Sequence, residues 1–106
     1  MITFEDFSKL DLKIGKIVEV EPHPQADKLY LLKVDIGRCV RQLVAGIKPF
    51  YSPQELKGKS IVVLVNLEPK NIRGYTSEGM LLAAQSKNSV CIISPDREVE
   101  LGSVIR

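Results

Sequence analysis

The stretch SIVVLV at 60–65, a serine followed by a run of five consecutive aliphatic residues, constrains the fold of the chain more than any other. The run falls far short of the ~20 apolar residues of a membrane helix. Its β-branched side chains disfavour a helix, so it reads as a buried strand. The next fifteen residues, NLEPKNIRGYTSEGM at 66–80, change character at once. Asn66, Pro69, Gly74 and Gly79 interrupt regular structure, and the segment reads as a loop. Lys70 and Arg73 set two cations beside Tyr75, Thr76 and Ser77. A central strand that opens into a basic, polar loop gives a binding surface a rigid base. RNA is the anionic partner this loop suggests.

Shorter elements surround the run. Thr3 is an N-cap candidate, and Glu5 and Asp6 follow in the first turn. Phe4, Phe7 and Leu10 recur at helical spacing, which predicts a short amphipathic helix over 3–10 with both phenylalanines in the core. The stretch 11–20 reads as a strand with Ile14, Val18 and Val20 on one side and Ile17 and Glu19 on the other. Gly15 inside it predicts a bulge or sharp bend. The loop 21–28 carries two prolines around His23, read as a turn histidine, and Asp27 and Lys28 can pair locally. Runs at 29–35 and 38–45 form a hairpin around Ile36 and Gly37. SPQEL at 52–56 has Ser as N-cap and Pro at the first helical position, hence one helical turn. Further strands are expected at 80–84, with Met80 in the core, at 90–93, and just before residue 105.

Short strands with turn signals every ~8–12 residues indicate a small all-β barrel or sandwich. Three strands, a helical turn and two more strands is the connectivity of an OB-fold. The expectation is a single domain over 1–106. It is an all-β, five-stranded OB barrel with a short N-terminal helix, a helical turn between strands 3 and 4, and extra C-terminal strands.

Composition narrows the function. With 44% apolar and 26% charged residues the chain is globular rather than disordered. Its net charge of +2 is modest, but from Lys33 to Arg73 eight basic residues face three acids, +5, and the remainder carries −3. Either these cations are solvated strand residues or they mark a phosphate-binding surface. One histidine and no G-x-S-x-G element leave a hydrolytic triad without parts. Two distant cysteines do not make a metal site, so neither metal nor cofactor is expected. Cys39 and Cys91 lie in apolar segments and read as small buried hydrophobes, kept reduced. Acids stand where a secretory leader would be basic, so a cytoplasmic chain without membrane contact is expected.

Five segments in order, HPQADKLY at 23–30, VAGI at 44–47, YSPQELKGK at 51–59, NLEP at 66–69 and SEGMLLAA at 77–84, resemble the tRNA-binding OB domain family. That domain occurs as free-standing structure-specific tRNA-binding proteins. It also occurs as the C-terminal part or β subunit of methionyl-tRNA synthetases, and in synthetase cofactor proteins. The resemblance spans about residues 3–106. It implies an OB-fold, often homodimeric, that binds tRNA by shape, alone or with a synthetase catalytic chain. It implies no catalysis, and H-I-G-H and K-M-S-K-S elements are absent. Asn71 stands where the family usually has a basic residue. A chaperone-like, peptide-binding dimer of the same fold shares the Asn-x-x-Pro region but typically lacks the Ala-Asp-Lys-Leu-Tyr loop.

The expected tRNA-binding residues are Lys33, Arg41, Lys48, Asn66, Lys70, Arg73, Tyr75 and Ser77. The cations match phosphates, and Tyr75 or Tyr30 can stack a base. Asn66 and Ser77 either bond sugar and phosphate or hold the loop's own backbone.

Overall fold

A computed structural model describes all 106 residues. Helix α1 (Phe4–Ser8) opens the chain, and the reciprocal bonds between Thr3 and Asp6 form a capping box. Strands β1 (Leu12–Pro22), β2 (Tyr30–Asp35) and β3 (Val40–Ala45) follow as an antiparallel meander. Ser52 and Glu55 cap the helical turn α2 (Pro53–Leu56) in the same reciprocal way. Strand β4 (Ser60–Leu64) then returns to pair with β1. The stretch 66–80 holds a small hairpin of its own, β5 (Lys70–Ile72) and β6 (Tyr75–Ser77). Strand β7 (Met80–Leu81) completes a five-stranded sheet of order β3-β2-β1-β4-β7, the OB barrel. A separate hairpin, β8 (Ala83–Gln85) with β9 (Val90–Ile92), lies beyond it.

The apolar run shows no alternation because both of its faces are covered. Ile61, Val63 and Val65 point into the barrel with Ile17, Leu32, Val34, Leu43 and the fully buried Leu56 of α2. Val62 and Leu64 join Leu12 and Ile14 in a second, smaller cluster, against which Phe7, Leu82, Leu101 and Ile105 pack. The N-terminal helix and the C-terminal segment thus roof the outer side of β1 and β4. The final segment makes one bridge to β1, Lys13 to Val104, flanked by backbone bonds from the Gly102, Ile14 and Ile105 N–H groups to the carbonyls of Ile14, Ser103 and Leu12, in place of the expected strand.

Strand β1 serves two partners, β4 over residues 12–16 and β2 over 16–22. Its register slips between Ile17 and Glu19, so the bulge lies at Val18 and not at Gly15. Gly15 instead faces inward, where a Cβ would stand 2.7 Å from Val34 Cγ1. The sequence puts Ile14 and Ile17 on opposite sides of strand 1. Because it changes partner midway, Ile14 and Ile17 are both buried, in different clusters.

Other expectations need correction. Phe4 is 82% exposed and Leu10 is exposed, because the five-residue α1 buries none of its side chains and only Phe7 packs on the domain. Cys39 and Cys91 are exposed, since each lies on the outer side of a strand or turn. Met80 is exposed as well, on the edge strand that follows the hairpin, and Ala83 and Ala84 are not buried. Asp27 and Lys28 form no ion pair; the salt bridges are Asp6 with Lys9, Asp11 with Lys13, and Asp96 with Arg97.

Candidate nucleic-acid interface

Two connections define one rim of the barrel. The first, residues 23–29, joins β1 to β2. The second, 65–79, joins the fourth barrel strand, β4, to the fifth, β7. These are the loops with which OB-folds hold oligonucleotides, beside the face of strands 2 and 3.

The second connection, expected as a loop, is ordered by a tight hairpin. Asn71, Ile72 and Lys70 of β5 pair with Thr76, Tyr75 and Ser77 of β6. Its two-residue turn is Arg73 and Gly74, with φ of +52° and +93°. Positive φ at both central residues is the type I′ geometry that matches strand twist. Asn71 Oδ1 accepts the Gly74 N–H at 3.0 Å and closes the turn. Asn71 therefore stabilises the hairpin on which Arg73 is presented.

At its base the hairpin closes the barrel against β3. Ser77 is buried; its Oγ accepts the Val44 N–H at 3.0 Å and donates to the Gly79 carbonyl at 3.0 Å. The Gln42 N–H donates to Glu78 Oε1, and the Glu78 N–H donates to the Gln42 carbonyl. Arg41 NH1 donates to the carbonyls of Val65 and Glu78 at 2.9 and 3.1 Å. Side chains thus supply bonds where the sheet lacks a continuous ladder between β3 and β7. Asn66 is similarly engaged: its Oδ1 accepts the Asp11 N–H and its Nδ2 donates to the Lys9 carbonyl, tying the start of β1 to the end of β4.

The expected residues therefore separate into two groups. Arg41, Asn66 and Ser77 spend polar groups on holding the barrel closed. Lys70, Arg73 and Tyr75 lie on the hairpin, with Lys70 and Arg73 exposed and Tyr75 half-buried. Arg73 NH1 donates to the Gln25 carbonyl at 3.0 Å, so hairpin and first connection meet. Arg73 and Lys28 line the same open cleft of about 440 Å³, with 25–29 forming its other wall. Lys33 stands on the outer face of β2 and β3, its Nζ 2.9 Å from Gln42 Oε1, while Gln42 Nε2 donates to the Thr76 carbonyl. That chain of bonds joins Lys33 to the hairpin. Lys48 is half-buried in the turn after β3. It lies near the barrel end where Ala45 pairs with Tyr30 at the close of the first connection.

Sequence reasoning missed three contributors: Lys28, Gln42 and His23. His23 is 4% exposed, with its ring edge-on to Tyr75 at 5.0 Å between centroids and 71° between planes. The two prolines beside it were a signal that this loop has one conformation. Nothing in the sequence tied it to Tyr75, fifty-odd residues away.

A second, 270 Å³ groove runs along the hairpin base, lined by Val44, Leu67, Ile72 and Met80 together with Glu68, Lys70, Ser77 and Gly79. No helix is long and apolar enough to cross a membrane.

Residues 12–104 match the family model described as "Putative tRNA binding domain". A methionine–tRNA ligase of Pyrococcus horikoshii is 55% identical over 105 residues, 99% of this chain but 14% of that protein, so the chain spans a small part of such relatives. The crystal structure of a MetRS related protein from Pyrococcus horikoshii has a TM-score of 0.94 at 34% identity, covering 100% of this chain and 98% of that one. The crystal structure of the CsaA chaperone protein from Picrophilus torridus has a TM-score of 0.93 at 37% identity, with 100% of both chains covered.

Proposed function

The chain belongs to the family of tRNA-binding domains, and from that premise we propose that its OB barrel holds tRNA by backbone and shape, without catalysis. The observation that carries this reading is the rim itself: Arg73 and Lys28 across one cleft, Lys70 on the same hairpin, and Lys33 joined to it through Gln42 and Thr76. A-form RNA hides its base edges in a deep, narrow groove, so cations spaced on a rigid surface read phosphate positions. Tyr75 adds an aromatic face for an unstacked base. The same reading places the chain in the cytoplasm, assisting a methionyl-tRNA synthetase as a domain or as a separate partner.

Two copies form the working unit in this proposal. Phe4 and Val104 are 82% and 58% exposed. With Phe7, Leu10 and Ile105 they line an apolar depression of about 220 Å³ between α1 and the C-terminal segment. A two-fold dimer would cover this face with its own copy and double the tRNA contacts.

The test replaces Lys70 and Arg73 together by Ala and measures tRNA binding by electrophoretic shift across a salt series. The variant is expected to stay folded, bind more weakly, and lose about one unit of salt slope per cation removed. Unchanged binding would overturn the assignment of this rim. The groove at the hairpin base, with exposed Leu67 and Met80, favours a second reading as a peptide-binding chaperone. Binding of unfolded polypeptide that survives high salt and displaces tRNA would support that reading instead.

A further inference from the structure

We propose that His23 is a positioning residue that locks the two rim loops together before RNA arrives. The inference rests on the reading above that this rim binds tRNA. Its subject is a side chain that RNA would not touch, since His23 is almost wholly buried beneath the rim.

One imidazole ring makes three connections. The Gln25 N–H donates to Nδ1 at 3.0 Å, which sets the turn of the first connection. Nε2 lies 3.0 Å from the Ile72 carbonyl on the hairpin. A backbone N–H can only donate and a carbonyl can only accept, so the two bonds together require the tautomer with its proton on Nε2. The ring edge also packs on Tyr75, the aromatic of the proposed site. Arg73 completes the link by donating to the carbonyl of Gln25, the residue whose N–H the histidine holds.

The hairpin needs such a tie. Each of its strands has three residues. A two-stranded hairpin of this size is marginal by itself in water. Its base is fastened to β3 through Ser77 and Glu78, but nothing in those bonds fixes the tip at 72–75. His23 supplies the anchor at that end. Shape recognition requires the cations to stand at phosphate spacing beforehand, and conformational freedom already given up in the free protein is not lost again on binding.

The experiment uses the whole chain and two variants. His23→Asn keeps an acceptor two residues before the Gln25 N–H, as in an Asx turn, but is too short to reach Ile72. His23→Ala removes both bonds. Binding of total tRNA is measured over a salt series, and amide exchange is followed at 70–77 and at 61–65. Both variants should bind about three- to tenfold more weakly, the net worth of one or two hydrogen bonds. The salt slope should stay at its parental value because every cation remains. Amides at 70–77 should exchange faster while those at 61–65 keep their protection. If His23→Ala unfolds the barrel, His23→Asn carries the test. Parental affinity in His23→Asn, unchanged exchange at 70–77, or a slope reduced as in the Lys70 and Arg73 variant would each overturn the role. A parent chain that fails to bind tRNA would overturn the preceding functional reading instead, and the exchange data would still report on the tie.

Discussion

At the scale of single residues, Arg73 sits in a conformation that its side chain disfavours. Its φ of +52° makes it the one non-glycine residue of the chain with positive φ. The left-handed region costs an ordinary L-residue roughly 1–2 kcal/mol. Asn tolerates that region far better. Arg73→Asn should therefore relieve the turn, partly offset by loss of the bond to Gln25. We expect a variant at least as stable as the parent in urea denaturation that nevertheless binds tRNA several-fold more weakly. Equal tRNA affinity would remove Arg73 from the site. The charge of Arg73 was legible in the sequence, and so was its place beside Tyr75. Its strain was not, because nothing local marks 70–77 as a hairpin: the type I′ signal is Asn-Gly, and here Arg occupies the Asn place.

Among the elements, the closure between β3 and the 77–80 stretch decides whether the barrel is whole. Gly79 lies in that closure with φ of +154°, and a Cβ there would stand 2.8 Å from the Leu64 carbonyl oxygen. That oxygen belongs to the backbone of β4, which is buried on both faces and cannot yield. Gly79→Ala should cost about 1–3 kcal/mol through backbone strain, read as a lower urea midpoint with an unchanged slope. A stability equal to that of the parent would show that the 77–80 stretch can part from β4 at little cost. Apolar spacing announced β4 because its two covered faces leave a continuous run. The covering of Val62 and Leu64 by α1 and the C-terminal segment follows from packing between distant parts of the chain. The same distance explains Phe4: its helical spacing with Phe7 was visible, but only Phe7 finds a surface to meet.

For the whole molecule, the exposed apolar face and the basic rim are built from different residues, the one from α1 and the C-terminal segment, the other from the first and second connections. The α1 face includes Phe4, Leu10 and Val104 and is roofed by nothing within the chain. Phe4→Glu should turn a dimer into a monomer in sedimentation velocity, because a charge at the centre of an isologous contact is buried twice. Affinity for tRNA should fall with it, since the second site no longer acts at high effective concentration, while the monomer keeps its fold because nothing within the chain covers Phe4. A parent chain that sediments as a monomer at micromolar concentration would end the dimer proposal.

The order of the five barrel strands, the buried strand at 60–65, both helix caps and the basic character of the middle of the chain were all determined by sequence alone. Each depends on residues within a few positions of one another: Thr3 with Asp6, Ser52 with Glu55, Gly37 in its turn. The division of labour within the site was decided only in three dimensions. Asn66 and Lys70 are four residues apart in one polar stretch, yet Asn66 binds the backbone of Lys9 and Asp11 while Lys70 is left exposed. Arg41 looked like any other strand cation until the closure of the barrel placed two carbonyls within its reach. His23, read as a turn residue, meets Ile72 only after the first and second connections are brought to the same rim. A polar side chain is equally suited to phosphate and to a backbone carbonyl. Which one it meets depends on partners dozens of residues away, and the fold alone brings those within hydrogen-bonding distance.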